Sequence, residues 1–352
     1  MSRLPVLLAL TVVVGCVQPS PQVFDDRSVG GDPPVAVSTN GVSDEDAALV
    51  RTRDGGFRVV WSSKRNGPAH LYTATSADGA AWVDEQAITD DANDDFYPAL
   101  LQTRDGTLHL TWFRIDQRTG RRDVWYASSP DGRAWTNPAR ISTAGMDWAP
   151  AIYEDDFPML WIVWSSGRSG NRELYAVRSG DGGRTWSEDF RLTQSPEQDD
   201  FPFVLVRRDG ERLLTWTRYA AGSKFDEYYR DASAEVVVAT SRDGLRWSSP
   251  ITWSPPDPND RYVDFLPCLF RDAAGARTFL AWTSSRTQTN GEILAREFST
   301  PSSPIWQLTS SGANDYDARI VPVRTTPGAY LLVWTSGRKG ATQIVARTIT
   351  LP

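Results

Sequence analysis

Apolar residues in this chain come in short alternating runs that end in tryptophan. Phe57-Arg58-Val59-Val60-Trp61, Leu108-His109-Leu110-Thr111-Trp112 and Tyr330-Leu331-Leu332-Val333-Trp334 are three of them. Each is rich in β-branched and aromatic residues and follows an Asp-Gly or Pro-Gly turn, which is the pattern of a β-hairpin. No stretch sustains a helical period, so the chain reads as all-β. The run-ending tryptophans are Trp61, Trp112, Trp164, Trp216, Trp282 and Trp334, and their spacings are 51, 52, 52, 66 and 52 residues.

Each repeat divides into four strands. The first opens on an Asp-x-x-Pro string, as in Asp95-Phe96-Tyr97-Pro98, Asp147-Trp148-Ala149-Pro150 and Asp264-Phe265-Leu266-Pro267. The tryptophan strand comes second. A third strand such as Glu173-Leu174-Tyr175-Ala176 follows, and the fourth ends in Ile88-Thr89, Ile141-Ser142 or Leu308-Thr309. Four antiparallel strands in about 50 residues, repeated, predict propeller blades. Between the third and fourth strands lies Ser179-Gly180-Asp181-Gly182-Gly183-Arg184-Thr185-Trp186, with shorter versions at Ser76 to Trp82, Ser129 to Trp135 and Ser241 to Trp247. In such a turn the aspartate binds backbone amides, glycine supplies a positive φ and tryptophan pins the hairpin.

The chain ends supply the closure. The last repeat stops at Pro352 without a fourth strand, while Pro33-Pro34-Val35-Ala36-Val37-Ser38 matches Asn137-Pro138-Ala139-Arg140-Ile141-Ser142. Residues 33 to 352 are therefore expected to form a six-bladed β-propeller whose N-terminal strand completes the last blade and removes a sheet edge. Before it, Arg3 and the apolar run Leu4 to Val14 read as a signal peptide over residues 1 to 15, too short to span a bilayer. Gly15-Cys16 resembles a lipobox, which makes Cys16 the lipidated mature N-terminus, and the Pro- and Gly-rich residues 17 to 32 read as its tether. Val17 follows the cysteine in place of the aspartate that retains enterobacterial lipoproteins in the inner membrane, so the expected location is the outer membrane, periplasmic or surface-exposed.

Composition narrows the rest. Cys268 is the other cysteine, so no disulfide framework exists, and its run Leu266-Pro267-Cys268-Leu269-Phe270 marks it as a small core residue. Removing Arg3 with the signal leaves 36 basic against 44 acidic residues, a balance that disfavours nucleic acid. The two histidines, His70 and His109, lie in different blades, which argues against a histidine metal site or a Ser-His-Asp triad. No phosphate-binding glycine loop occurs, and no cofactor, no metal and a monomer are expected.

Hairpin register brings two residue types together. With the Asp54-Gly55 turn at the centre, position 44 faces 65; the same construction pairs Asp147 with Arg168, Asp264 with Arg286 and Asp315 with Arg338. Asp95 and Asp199 take the same place in blades two and four, where the arginines are Arg114 and Arg218, two residues after tryptophan. Six aspartates are thus expected to ring the central funnel, paired with guanidinium groups that relieve their repulsion. A feature present in every blade favours architecture over catalysis. The asymmetric elements are better site candidates: the blade-four insertion Tyr219 to Glu235, with Asp226, Glu227, Tyr228, Tyr229 and Arg230; the blade-two loop with Arg118, Arg121 and Arg122; and Asp260, Arg261 and Tyr262 before blade five. Phe96, Trp148, Phe265 and Tyr316 adjoin the ring aspartates. With Arg114, Arg218, Arg230, Arg261 and Tyr262, Trp148 completes the candidate ligand set, which suits a glycan or a peptide.

The Ser-x-Asp-x-Gly-x-Thr-Trp string at Ser179 to Trp186 matches the Asp-box, and over nearly the whole mature chain the repeat resembles sialidases and related propellers. That family clamps the substrate carboxylate with three arginines, attacks with a tyrosine paired to glutamate and uses an aspartate acid/base. Its first arginine sits in an Arg-Ile-Pro string, two residues before a first-strand proline, where this chain has Phe96, Trp148, Asp200 and Phe265. The nearest string, Arg319-Ile320-Val321-Pro322, is out of register. The resemblance would give Glu227 with Tyr228 or Tyr229 as the nucleophile pair and Asp226 or Asp260 as the acid. The Asp-x-x-Pro start and Trp/Phe-x-Ser-x-Arg ending are also similar to TolB-type repeats, which bind periplasmic proteins. The sequence reading is a lipid-anchored, non-catalytic envelope propeller that binds a glycan or an envelope protein on its funnel face and meets the membrane only through its lipid. Its alternative is an exo-acting glycoside hydrolase of the exo-α-sialidase type.

Overall fold

The computed structural model describes residues 29–39, 43–222, 233–255, 262–287, 290–299, 302–324, 326–338 and 341–352, with the side chain of Arg338 outside that description. Among them there is no helix. Strands form six four-stranded antiparallel sheets, five from consecutive segments. The sixth has the order Val35–Ala36, Ala341–Thr350, Ala329–Arg338, Asn314–Pro322. Val35 pairs with Ala346 and Ala36 with Val345, so the N-terminal strand occupies the outer place of the last blade as its sequence predicts.

A repeated hydrogen bond shows how equivalent that closure is. In each blade a Ser or Thr hydroxyl of the fourth segment accepts the amide of the third strand: Thr89 from Leu71, Ser142 from Val124, Thr193 from Leu174, Ser254 from Val236 and Thr309 from Ile293. In the last blade the acceptor is Ser38 and the donor Ile344, at 3.2 Å. Residues more than 300 positions apart in sequence repeat a local contact.

The core is distributed between blades. Six hydrophobic clusters each join two neighbouring blades, and each holds one repeat tryptophan facing the blade before it. Trp61 packs against Leu331, Val333 and Ile344 of the last blade, which seals the ring. All six tryptophans are fully buried, and each such side chain contributes on the order of 2–3 kcal/mol of transfer free energy. Cys268 is buried with Phe270 and Phe279, and burial pushes its thiol pKa up to about 12.

The inner strands Asp44–Arg51, Asp94–Gln102, Asp147–Glu154, Gln198–Val206, Asp264–Arg271 and Asn314–Pro322 line an axial channel. Each carries a bulge two residues after its ring aspartate. Asp46, Tyr97, Ala149, Phe201, Leu266 and Asp317 all have φ between 47° and 60°. This left-handed conformation is costly for non-glycine residues. It turns the amide towards the preceding blade: Phe201 donates to Ser165 Oγ, Leu266 to Thr217 Oγ1 and Asp317 to Thr283 Oγ1.

The bulge corrects the expected register. Asp44 lies opposite Ser63 rather than Arg65, Asp147 opposite Ser166, Asp264 opposite Ser284 and Asp315 opposite Ser336. An extra inner-strand residue, together with an asymmetric turn, moves the partner two places from the one that counting outward from the turn gives. Asp95 and Asp199 do face Arg114 and Arg218 directly.

Candidate functional site

The six ring aspartates are fully buried, and none of them lines the cavities along the channel. Arg114 holds Asp95 with both prongs, Nε to Oδ1 at 2.7 Å and Nη2 to Oδ2 at 2.8 Å, while its third nitrogen meets Asp91 at 2.7 Å. Trp112 Nε1 adds a hydrogen bond to Asp95 at 2.8 Å. Burial pushes the Asp95 carboxyl pKa up, and these donors oppose it. Arg218 grips Asp199 in the same way at 2.8 and 3.0 Å.

Where the arginine comes later in the strand it reaches back diagonally. Arg65 bonds Ser63, Asp44 and Glu85 and lies over Tyr72; Arg168 bonds Ser166, Asp147 and Asp189 and lies over Tyr175. Arg286 joins Asp264 at 2.7 Å and lies 5.0 Å from the Tyr262 ring. Asp315 accepts from Ser336 and Ser311. The guanidinium groups of Arg65, Arg114, Arg168, Arg218 and Arg286 are thus held by carboxylates. That arrangement neutralises charge and fixes the blade edges.

The funnel wall is made by the next residues along. A cavity of about 450 Å³ is lined by Glu45, Asp46, Phe96, Tyr97, Phe113, Ile115, Arg122, Trp148, Phe201, Asn314 and Tyr316. Phe96, Tyr97 and Phe201 form a continuous aromatic surface with Phe113, at centroid separations of 5.4 to 5.9 Å. Lys64 Nζ stands 5.3 Å from the centre of the Phe96 ring. The Trp148 indole donates to Asp200 at 2.8 Å, and Asp200 in turn pairs with Arg172 at 3.4 Å.

Beside the aromatic surface the wall is acidic. Asp46 is 4 % exposed, with the amide of Tyr97 donating to it, and Glu45 stands beside it. Burial, then the Glu45 and Asp317 charges, hold the Asp46 carboxyl well above the ordinary carboxylate range. Burial raises Asp317 as well, against Arg319 at 2.7 Å. Below the funnel the channel narrows at Tyr97, Pro98, Pro150, Phe201, Pro202, Leu266, Pro267, Asp317 and Arg319. Arg319, from the out-of-register Arg-Ile-Val-Pro string, is thus fixed to a carboxylate in this constriction.

Of the residues named from sequence, Trp148, Phe96, Tyr316 and Arg122 meet in the funnel cavity. Arg114 and Arg218 lie in the ring layer. Asp226, Glu227, Tyr228, Tyr229, Arg230, Asp260, Arg261 and Cys16 lie outside the described residues. Glu45, Asp46, Asn314 and Asp317 were missed. The signal for them was present: blades one and six replace the Asp-x-x-Pro proline with Ala47 and Ala318, and put aspartate where other blades have Tyr97, Ala149, Phe201 or Leu266. His109 is buried between Tyr126 and Thr103, and burial lowers its pKa to about 4. Among the described residues no cluster of three or more metal-ligating side chains occurs.

No protein-family model matches the chain, and no curated protein matches it in sequence. Solved structures do match. A protein of unknown function from Dyadobacter fermentans aligns with a TM-score of 0.75 at 15% identity over 93% of this chain and 100% of its own. The GH93 α-L-arabinofuranosidase of Fusarium graminearum, solved with arabinobiose, aligns at 0.69 and 14% over 92% and 98%. The NanB sialidase from Streptococcus pneumoniae aligns at 0.65 and 8% over 91% and 71%. At these identities the likeness is one of fold. The chain has the six-bladed propeller architecture found in sialidases and in GH93 arabinofuranosidases.

Proposed function

We propose that this propeller recognises a carbohydrate in its funnel and that the ligand is neutral or cationic. The observation that carries this is the cavity of about 450 Å³ with an aromatic wall and an acidic one. Aromatic faces stack on the apolar faces of sugar rings, while Glu45, Asp46 and Asn314 supply acceptors for hydroxyl or ammonium groups. The ring arginines are engaged by carboxylates, so in place of the three-arginine clamp of the sialidase reading the cavity lining offers Arg122. Neighbours of this fold that act on glycans lend general support. Titration of neutral, cationic and sialylated oligosaccharides tests the proposal: tighter binding of the sialylated ligand contradicts it.

One observation favours hydrolysis as a second reading. Burial and like charge raise the Asp46 carboxyl pKa beside Glu45, and a raised acid beside a second carboxylate is the pairing that glycoside hydrolysis needs. Release of a chromogenic aglycone that disappears in both Asp46→Asn and Glu45→Gln supports it. Binding with no turnover across a broad glycoside panel rules it out.

The lipid anchor is part of the same proposal. Residues 1–28 lie outside the described part, and the support is the sequence Val13-Val14-Gly15-Cys16. Cleavage and acylation at Cys16 would tether a monomeric propeller to the bacterial envelope, with the outer membrane as the expected site. Mass spectrometry of the mature N-terminus and Cys16→Ser, which should release the protein into the soluble fraction, check this.

A further inference from the structure

We infer that the channel mouth on the face opposite the funnel binds a small organic polyanion, a molecule with two or more carboxylate or phosphoryl groups. A second cavity of about 480 Å³ opens there, and Arg208, Arg271 and Arg324 line it. They follow or end the inner strands of blades four, five and six, and Arg51 of blade one extends the arc beside Arg324. This convergence runs against a chain whose net charge is −7.

These guanidinium groups differ from those of the ring layer. Among the described residues, Arg51, Arg208, Arg271 and Arg324 have no carboxylate within ion-pair distance, whereas Arg104 and Arg242 on the same face are paired with Asp156 and Asp209, each at 3.2 Å. The two carboxylates that line the mouth direct their hydrogen bonds to backbone amides, and Asp272 offsets part of the charge on Arg271 from beyond ion-pair distance. Glu154 accepts the Arg104 amide at 3.0 Å, and Asp272 accepts the Ala276 and Arg277 amides at 2.7 and 3.1 Å. Burial and then Arg208 lower the pKa of Arg271; burial and then Arg324 lower that of Arg51. The fold therefore holds like charges together at a cost that a bound anion removes. Arginine forks match carboxylate and phosphoryl oxygens in pairs, so several oxyanion groups on one ligand can meet several blades at once. Leu101, Ile152, Val204 and Leu269 give the mouth apolar walls that strengthen those contacts by excluding water.

Calorimetric titration at low ionic strength, with citrate and with inorganic phosphate, tests this. The expected result is one citrate per chain, weakened at least tenfold by Arg271→Gln or Arg324→Gln and by added salt, with Arg242→Gln unchanged. Phosphate should bind more weakly than citrate; equal or tighter phosphate binding overturns the polyvalent class. If a glutamine variant does not fold, the wild-type melting temperature should still rise with citrate at low salt and lose that rise at high salt. No citrate binding at millimolar concentration, or an equal loss in Arg242→Gln, overturns the site. Funnel variants such as Phe96→Ala should leave citrate binding intact, which separates this site from the glycan site.

Discussion

Asp95 and Phe96 are neighbours in sequence, yet they belong to two regions with opposite logic. The aspartate layer repeats in every blade, is fully buried, and is largely neutralised by arginine. The position one residue further on varies around the ring: Glu45, Phe96, Trp148, Asp200, Phe265 and Tyr316. Symmetry marks what the fold needs, and its loss marks what the fold leaves open for a ligand. Strand alternation separates the two, because the aspartate and its successor pair in regular register and point to opposite faces of the blade, and the bulge follows them.

The largest effect should come from breaking the symmetric layer. Asp95→Ala or Arg114→Ala leaves a buried charge without its partner and should cost about 3–5 kcal/mol in chemical denaturation. The double variant should lose much less than the sum, as a coupled pair requires. Funnel substitutions should behave in the reverse way. Phe96→Ala and Tyr316→Ala are expected to change stability by no more than about 1 kcal/mol but to weaken glycan binding about tenfold or more, roughly 1.4 kcal/mol. If these variants unfold the protein as Asp95→Ala does, the division between the regions fails.

Titration sharpens the contrast. The folded Asp46 carboxyl binds its proton more tightly than the unfolded one, so its contribution to stability is present at low pH and is lost as pH rises through its raised pKa. Asp46→Asn should remove that dependence and stabilise the protein at neutral pH. A smaller effect distinguishes Glu292 from Glu173, which occupy the same repeat position. Glu173 pairs with Arg191 at 2.7 Å, whereas Glu292 has Thr309 as its side-chain partner, and burial raises its pKa to about 7. Stability should fall between about pH 4.5 and 7 on its account, and thermal melts of Glu292→Gln should lose that slope while Glu173→Gln is destabilised across the range.

The fold was legible because each blade repeats its punctuation. The tryptophans, the Asp-x-x-Pro strings and the Ser38 end of the N-terminal strand fixed the blade number and the closure. Register was less legible, since a bulge adds an unpaired inner-strand residue that counting outward from the turn does not include. The aromatic half of the funnel could be read from Phe96, Trp148 and Tyr316. Its acidic half could not be found by looking for insertions, because Asp46 and Asp317 sit inside the repeat itself, at positions whose backbone conformation is common to all blades but whose side chains are not. Arg114 and Arg218 were legible as partners of Asp95 and Asp199, and the structure shows that pairing taking both prongs of each guanidinium.

Calorimetric comparison of a neutral oligosaccharide with its sialylated counterpart, on wild type and on Phe96→Ala, bears most directly on the funnel. The neutral sugar should bind the wild type at least as tightly as the sialylated one, and lose that binding in the variant. Preference for the sialylated ligand, or binding indifferent to Phe96, would contradict an aromatic and acidic recognition site whose neighbouring arginines are already engaged.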